Sequence, residues 1–137
     1  MTSPRQHTTS AGRPEARQRL QAARAYLEVA DLVRTDERPE FRTVTTGLAV
    51  LAGIAASDVI TALRLGRIHR GDEHRRAADL LRTATPDGDK LAAVFARLVD
   101  LKDEAHYGVT SVSATKARNA TRWAAQLVGR AAEELER

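Results

Sequence analysis

Three groups of residues in this chain could carry chemistry, and the first lies in the string LKDEAHYG at 101–108. Lys102 and His106 are four residues apart, so they share one face of a helix. A lysine in that place suits phosphate binding, and the histidine beside Tyr107 suits general acid or base catalysis. A structural role is the alternative, because the dipole favours a histidine near a helix C-terminus.

The second group is Asp58 with His74, which helical periodicity places on the apolar faces of two consecutive helices. Neither side chain tolerates burial alone, so we expect the two to pair. A carboxylate would orient the imidazole and raise its pKa, which fits either a catalytic pair or a structural one.

The third group is a basic cluster with candidate phosphate-binding residues Arg64, Arg67, Arg70 and Arg75. Arginines beside a helix N-terminus form a ready anion site, although charge clusters are also found as plain solvated surface. If helices alternate up and down, the second and fourth helices end at the same end of the bundle. The cluster would then converge with Lys102 and His106.

These groups depend on helices, and the stretch 47–66 predicts the central one, because much of it is apolar on every side. Apolar stripes at helical spacing predict four more helices. The first predicted helix covers 15–34, and the second begins between residues 39 and 46 and ends at Gly66. The third is capped by Asp72, the fourth runs from Asp87 or Asp89 to Gly108, and the fifth is capped by Ser113. We find no strand pattern. The expected fold is all-α, a single antiparallel bundle of about five helices over 14–137, with a disordered tail at 1–13.

Composition narrows the classes of function. The chain has 137 residues, which suits one domain, and a net charge of +4, which permits a nucleic-acid partner without requiring one. It has no cysteine, which excludes disulfides, zinc–thiolate sites and cysteine nucleophiles. We predict no metal site and no cofactor. The central helix is interrupted by polar residues and no signal-like run precedes it, so we expect a cytoplasmic protein without a membrane partner.

Three strings, AGIAASDVI, LGRIHRGDEHRRAADLL and LVDLKDEAHYG, resemble the HEPN-like helical bundle proteins of prokaryotes. The resemblance implies a bundle of four or five helices that often dimerises, and in many members a metal-independent RNase of a defence or toxin–antitoxin system. The family motif is an arginine followed four to six residues later by a histidine. His106 stands where that histidine would be, with Leu101 at the arginine position and Lys102 as the nearest cation.

The expected function is therefore that of a HEPN-like, dimerising, RNA-associated or partner-binding component of a defence or toxin–antitoxin system. Its partners would be a second copy, RNA, and a cognate antitoxin or nucleotidyltransferase-type protein. One alternative is a metal-independent endoribonuclease in which His106 or His74 transfers a proton during attack of the 2′-hydroxyl on the RNA phosphate. A second alternative is a helix-turn-helix-like DNA-binding protein.

Overall fold

A computed structural model describes residues 8–137 and shows a helical bundle with one small sheet. The elements in this part of the chain are β1 (Thr8–Ser10), α1 (Arg13–Arg34), α2 (Pro39–Leu65), β2 (Arg67–His69), α3 (His74–Ala84), α4 (Gly88–Val99), α5 (Lys102–Tyr107) and α6 (Ala114–Glu136). Five of these six helices have 11 residues or more, and α5 has six. The predicted all-α bundle is confirmed.

Helix α2 is the centre of the bundle, as its apolar sequence predicts. It packs against α1, α3, α4, α5 and α6, and most of its residues between Thr45 and Ala62 are buried. Small residues allow the close approach: a Cβ atom on Gly53 would collide with Leu98 of α4. A helix of this length and composition could cross a membrane, but 61% of its most apolar window is buried inside the bundle. Burial of that kind is expected for a core helix.

The directions of the helices follow from contacts between their ends. Arg64 near the end of α2 binds Glu134 near the end of α6, so these two helices run parallel. A loop at 35–38 reverses the chain between α1 and α2. Asp87, directly before α4, binds Arg130 of α6, so α4 begins at the end of the bundle where α2 stops. The prediction that the second and fourth helices end together is wrong.

Part of the predicted disordered tail has a defined structure. Residues Thr8–Ser10 pair antiparallel with Arg67–His69, and the amide of Ala11 donates to the carbonyl of Gly66 over 3.0 Å. Ala11 is 7% exposed and belongs to the core. The prediction of disorder is therefore wrong for 8–13, and residues 1–7 lie outside the described part. Both strands escaped a search for alternating apolar residues, because main-chain hydrogen bonds hold them together.

Two predicted helix boundaries are confirmed in detail. Gly66 ends α2 with a φ of 72°, a left-handed conformation that glycine adopts without strain. Ser113 begins α6, and its hydroxyl accepts a hydrogen bond from the amide of Lys116 over 3.1 Å.

Other boundaries differ from the prediction. Helix α3 follows Glu73 rather than Asp72. The predicted fourth helix is broken between Val99 and Lys102, which makes α5 a separate short helix. This break turns Lys102 into the first residue of a new helix, where its side chain can leave the face that the continuous helix would have given it.

Candidate functional site

A large groove lies between α3 on one side and the end of α4 with α5 on the other, with a volume of about 900 Å³. On its wall, Nε2 of His74 lies 3.1 Å from Nζ of Lys102. Tyr107, whose residue is 75% exposed, stands at the same groove. The structure therefore brings together three of the catalytic candidates with Arg75 of the basic cluster, a different combination from the one predicted.

The environment of His74 keeps its imidazole neutral. Burial lowers the pKa of His74, and the positive charge of Lys102 lowers it further. With a neutral imidazole and a lysine ammonium, the hydrogen bond runs from Nζ of Lys102 to Nε2 of His74. A neutral histidine is a proton acceptor, and the lysine beside it is a cation that could meet an anionic group.

Carboxylates oppose that cation in the groove. Four aspartates contribute to the lining, namely Asp72, Asp79, Asp100 and Asp103. The cations of the lining are Lys102, Arg75 and Arg82, and Arg82 is bound to Asp79 over 2.7 Å. The groove is thus mixed in charge, which weakens its attraction for a polyanion.

His106 does not join this group. Although Lys102 and His106 are one helical turn apart, His106 packs over α2, where its Cε1 lies 3.2 Å from the place a Cβ on Gly47 would take. Lys102 and His106 therefore contact different elements, α3 and α2. Gly47 and Arg64 are 17 residues apart on α2, about 25 Å along the helix, so His106 and Arg64 do not converge either.

The predicted pairing of Asp58 with His74 is also wrong. Asp58 accepts a hydrogen bond from Nε of Arg19 over 3.0 Å, across the α1–α2 contact. Burial raises the pKa of Asp58 to about 6, and Arg19 offsets only part of this effect. The helix that packs against α2 at Asp58 is α1, which precedes α2 in the chain, rather than α3, which follows it.

The predicted basic cluster is dispersed. Arg64 binds Glu134, Arg67 lies on β2 beside a small hollow of about 270 Å³, and Arg75 lies in the large groove. Arg70 is exposed in the turn after β2. These four arginines therefore do not form one phosphate site.

Arg64 belongs to an ion network that was not predicted from the sequence. Glu134 is 3% exposed and accepts hydrogen bonds from Arg64 over 2.6 Å and from Arg130 over 2.9 Å. Arg130 also donates two hydrogen bonds to Asp87. A signal was present, because Glu134 follows Leu127 and Ala131 at helical spacing on the buried stripe of α6.

A second group of residues, also not predicted from the sequence, lines a pocket of about 450 Å³ where α1 ends and α2 and α6 begin. Arg34, Arg42 and Arg118 line it together with Thr45, a threonine that is 1% exposed. Thr45 lies four residues before Ala49 on the buried face of α2, which was the available signal. Only the fold places the three arginines around it.

Large apolar side chains remain exposed on the α1–α2 hairpin, namely Val29, Leu32, Val44 and Leu51. Two further exposed ones, Tyr107 and Val109, lie in or after α5.

Within residues 8–137, no cluster of three or more histidine, aspartate or glutamate side chains could hold a metal ion. Comparison with known proteins gives no match, either to a protein-family model or to a curated protein sequence.

Proposed function

We propose that this protein works by binding, as a homodimer formed on the outer face of the α1–α2 hairpin. The observation that carries the proposal is the apolar strip on that hairpin, in which Val29 is 45%, Leu32 69%, Val44 44% and Leu51 37% exposed. Isolated exposed apolar residues are ordinary, whereas several on one hairpin are typical of an interaction surface.

The spacing on α1 favours a second copy as the occupant. Ala22, Ala25, Val29 and Leu32 follow one another at intervals of three, four and three residues. This is the pattern of helices that pair along a narrow seam. The core-facing residues of α1, such as Leu20, fall on the opposite side, so the seam is free to meet the same seam of another copy around a twofold axis.

The resemblance to HEPN-like bundles supports a cytoplasmic place for this dimer, as an RNA-associated or partner-binding component of a defence or toxin–antitoxin system. The net charge of +4 favours anionic partners over cationic ones. An antitoxin or nucleotidyltransferase-type protein would bind a surface outside the dimer seam.

The dimer is tested by light scattering coupled to size-exclusion chromatography. We expect the wild-type protein to elute at twice its chain mass of 15.0 kDa. The double variant Val29→Glu/Leu32→Glu should be monomeric, with affinity reduced at least ~100-fold, because four buried apolar side chains per dimer are replaced by charges.

Val109→Glu is the matched control for that variant, since Val109 is fully exposed at 102% and lies outside the hairpin. It should remain dimeric. A monomeric wild-type protein at tens of micromolar would refute the proposal, and so would a dimer that survives the double substitution.

A second candidate function is metal-independent cleavage of RNA in the large groove, favoured by the 3.1 Å contact between His74 and Lys102. An incoming phosphate would draw the Lys102 ammonium away and free Nε2 of His74 to accept the 2′-hydroxyl proton. The 2′-oxygen would then attack phosphorus as the bond from phosphorus to the 5′-oxygen breaks, the 5′-oxygen would take a proton from solvent, and Lys102 would stabilise the added negative charge. We place this function second because the four aspartates of the groove weaken its attraction for RNA.

This candidate predicts that His74→Gln and Lys102→Gln each slow cleavage of mixed single-stranded RNA by at least ~100-fold. Cleavage should be unaffected by a chelator. It should rise with pH and level off below the ordinary histidine pKa of 6.5, because burial and Lys102 lower the pKa of His74. His106→Gln is the control and should retain full activity. Loss of activity in that control, or equal rates in all three variants, would rule out a His74 base.

A further inference from the structure

The pocket at the end of the bundle contains a polar group that the fold leaves without a partner. Thr45 is 1% exposed, and its hydroxyl makes no hydrogen bond to any residue in 8–137. The other four buried threonines of the described chain all donate one, namely Thr46, Thr61, Thr85 and Thr121. A buried hydroxyl without a partner is costly and calls for an explanation.

The three arginines around Thr45 have few or weak partners for their guanidinium groups. The guanidinium group of Arg42 forms no hydrogen bond or ion pair within residues 8–137, and only its backbone carbonyl accepts one, from the hydroxyl of Thr46. Arg118 has a single contact of 3.5 Å to the hydroxyl of Thr115, and Arg34 has one exposed pairing at 3.6 Å to Asp31. Weak contacts of this kind leave the guanidinium groups available to a ligand.

The carboxylates at the pocket do not cancel these cations. Asp36 accepts hydrogen bonds from both the amide and the side chain of Arg38, which lower the pKa of Asp36 to about 2. Glu37 is then the one remaining carboxylate of the lining, against three arginines. The N-termini of α2 and α6 add to the positive potential here, and α6 has no acidic residue in its first turn, whereas Glu40 of α2 and the C-terminus of α1 oppose it.

We propose that this pocket binds a phosphomonoester with a small planar body, of the size of a nucleoside monophosphate. The volume of about 450 Å³ is in the range of small-molecule sites. Arg42 and Arg118 neutralise the phosphate, and the hydroxyl of Thr45 donates to one of its oxygens. Phe41, which also lines the pocket, offers an apolar edge to the body of the ligand.

None of the residues that line this pocket belongs to the dimer seam or to the His74–Lys102 groove. It needs neither the homodimer nor RNA cleavage, so its test is independent of the proposed function. The ligand is a small molecule, and a long RNA is an outcome that the test must distinguish.

The test is calorimetric titration of the full-length protein with adenosine 5′-monophosphate, inorganic phosphate, adenosine and a single-stranded RNA. We expect the monophosphate to bind, phosphate to compete with it more weakly, and adenosine to give no heat. Arg42→Gln should weaken monophosphate binding at least ~10-fold, since it removes a charged partner of the phosphate. Arg24→Gln, an exposed change of the same charge on α1, should leave the affinity unchanged.

The variant Thr45→Val distinguishes an effect on ligand binding from an effect on the stability of the fold. It should weaken monophosphate binding about fivefold while leaving or raising the melting temperature, because it removes an unpaired hydroxyl without changing the shape. Equal affinity in the Arg42 and Arg24 variants would overturn the proposal, as would tight binding of adenosine or binding of the RNA alone. A lowered melting temperature of the Thr45 variant would show that the hydroxyl has a structural partner and would also overturn it.

Discussion

Glu134→Ala is expected to lower the free energy of unfolding by about 3 kcal/mol, because it leaves two arginines without the carboxylate that neutralises them. Glu134 is 3% exposed, and it is the common acceptor for Arg64 and Arg130. Arg130 keeps Asp87 as a partner, whereas Arg64 keeps none of its hydrogen bonds. The loss therefore falls mainly on the contact between the ends of α2 and α6.

Urea unfolding followed by the emission of the single tryptophan, Trp123, would measure this loss. Glu133→Ala is the matched control, since Glu133 is exposed beside Glu134, and it should change stability by less than ~0.5 kcal/mol. Glu134→Gln keeps the shape and one acceptor oxygen, so its cost should fall between the two. An alanine variant as stable as the control would mean that the network does not hold the helix ends together.

The fold could be predicted from the sequence where the spacing of apolar residues indicates which side of a helix is buried. Helix α2 is apolar on nearly all sides, and a segment of that kind has no stable place except the centre. Gly66 and Ser113 mark their helix ends because the left-handed turn and the hydroxyl cap are local requirements. The β1–β2 pairing escaped prediction since it depends on main-chain groups brought together by the tertiary fold.

The candidate sites could be predicted only in part, for a related physical reason. Helical periodicity correctly placed Asp58 and His74 on the inner faces of their helices, but it does not indicate which helix lies opposite each of them. Arg19 and Lys102 became their partners because α1 flanks α2 and because the break after Val99 frees Lys102. The convergence of Arg42, Arg118 and Thr45 likewise depends on α2 and α6 running parallel, which no local pattern encodes.

Asp58→Asn is expected to raise the free energy of unfolding at pH 7 by about 2 to 3 kcal/mol, the opposite of what an ordinary ion pair would give. Burial raises the pKa of Asp58 from 3.8 to about 6, since desolvation outweighs the attraction of Arg19. The carboxyl group of the folded protein is therefore mostly ionised at pH 7, but its ionised form carries the cost of burial. Asparagine supplies a neutral group of the same shape at every pH.

The pH dependence gives the sign of this effect independently. Between pH 4 and 6 the folded protein holds a proton on Asp58 that the unfolded chain has released, so wild-type stability should fall as pH rises through this range. The pKa of Glu134 is shifted the other way, lowered by its hydrogen bonds from Arg64 and Arg130, and this contribution is lost as pH falls below about 4. The contributions of these two groups together are greatest near pH 4 to 5, and His74, whose pKa is lowered by burial, partly offsets the fall as pH rises toward 6.5.

Unfolding in urea at a series of pH values would measure both slopes. In Asp58→Asn the fall between pH 4 and 6 should disappear while the acid loss remains, because Glu134 is untouched. Asp31→Asn is the control, an exposed aspartate that pairs with Arg34 at 3.6 Å, and it should retain the wild-type profile. If Asp58→Asn instead destabilises the protein at pH 7, then the ion pair with Arg19 outweighs the desolvation of Asp58, and the buried carboxylate stabilises the α1–α2 contact in its charged form.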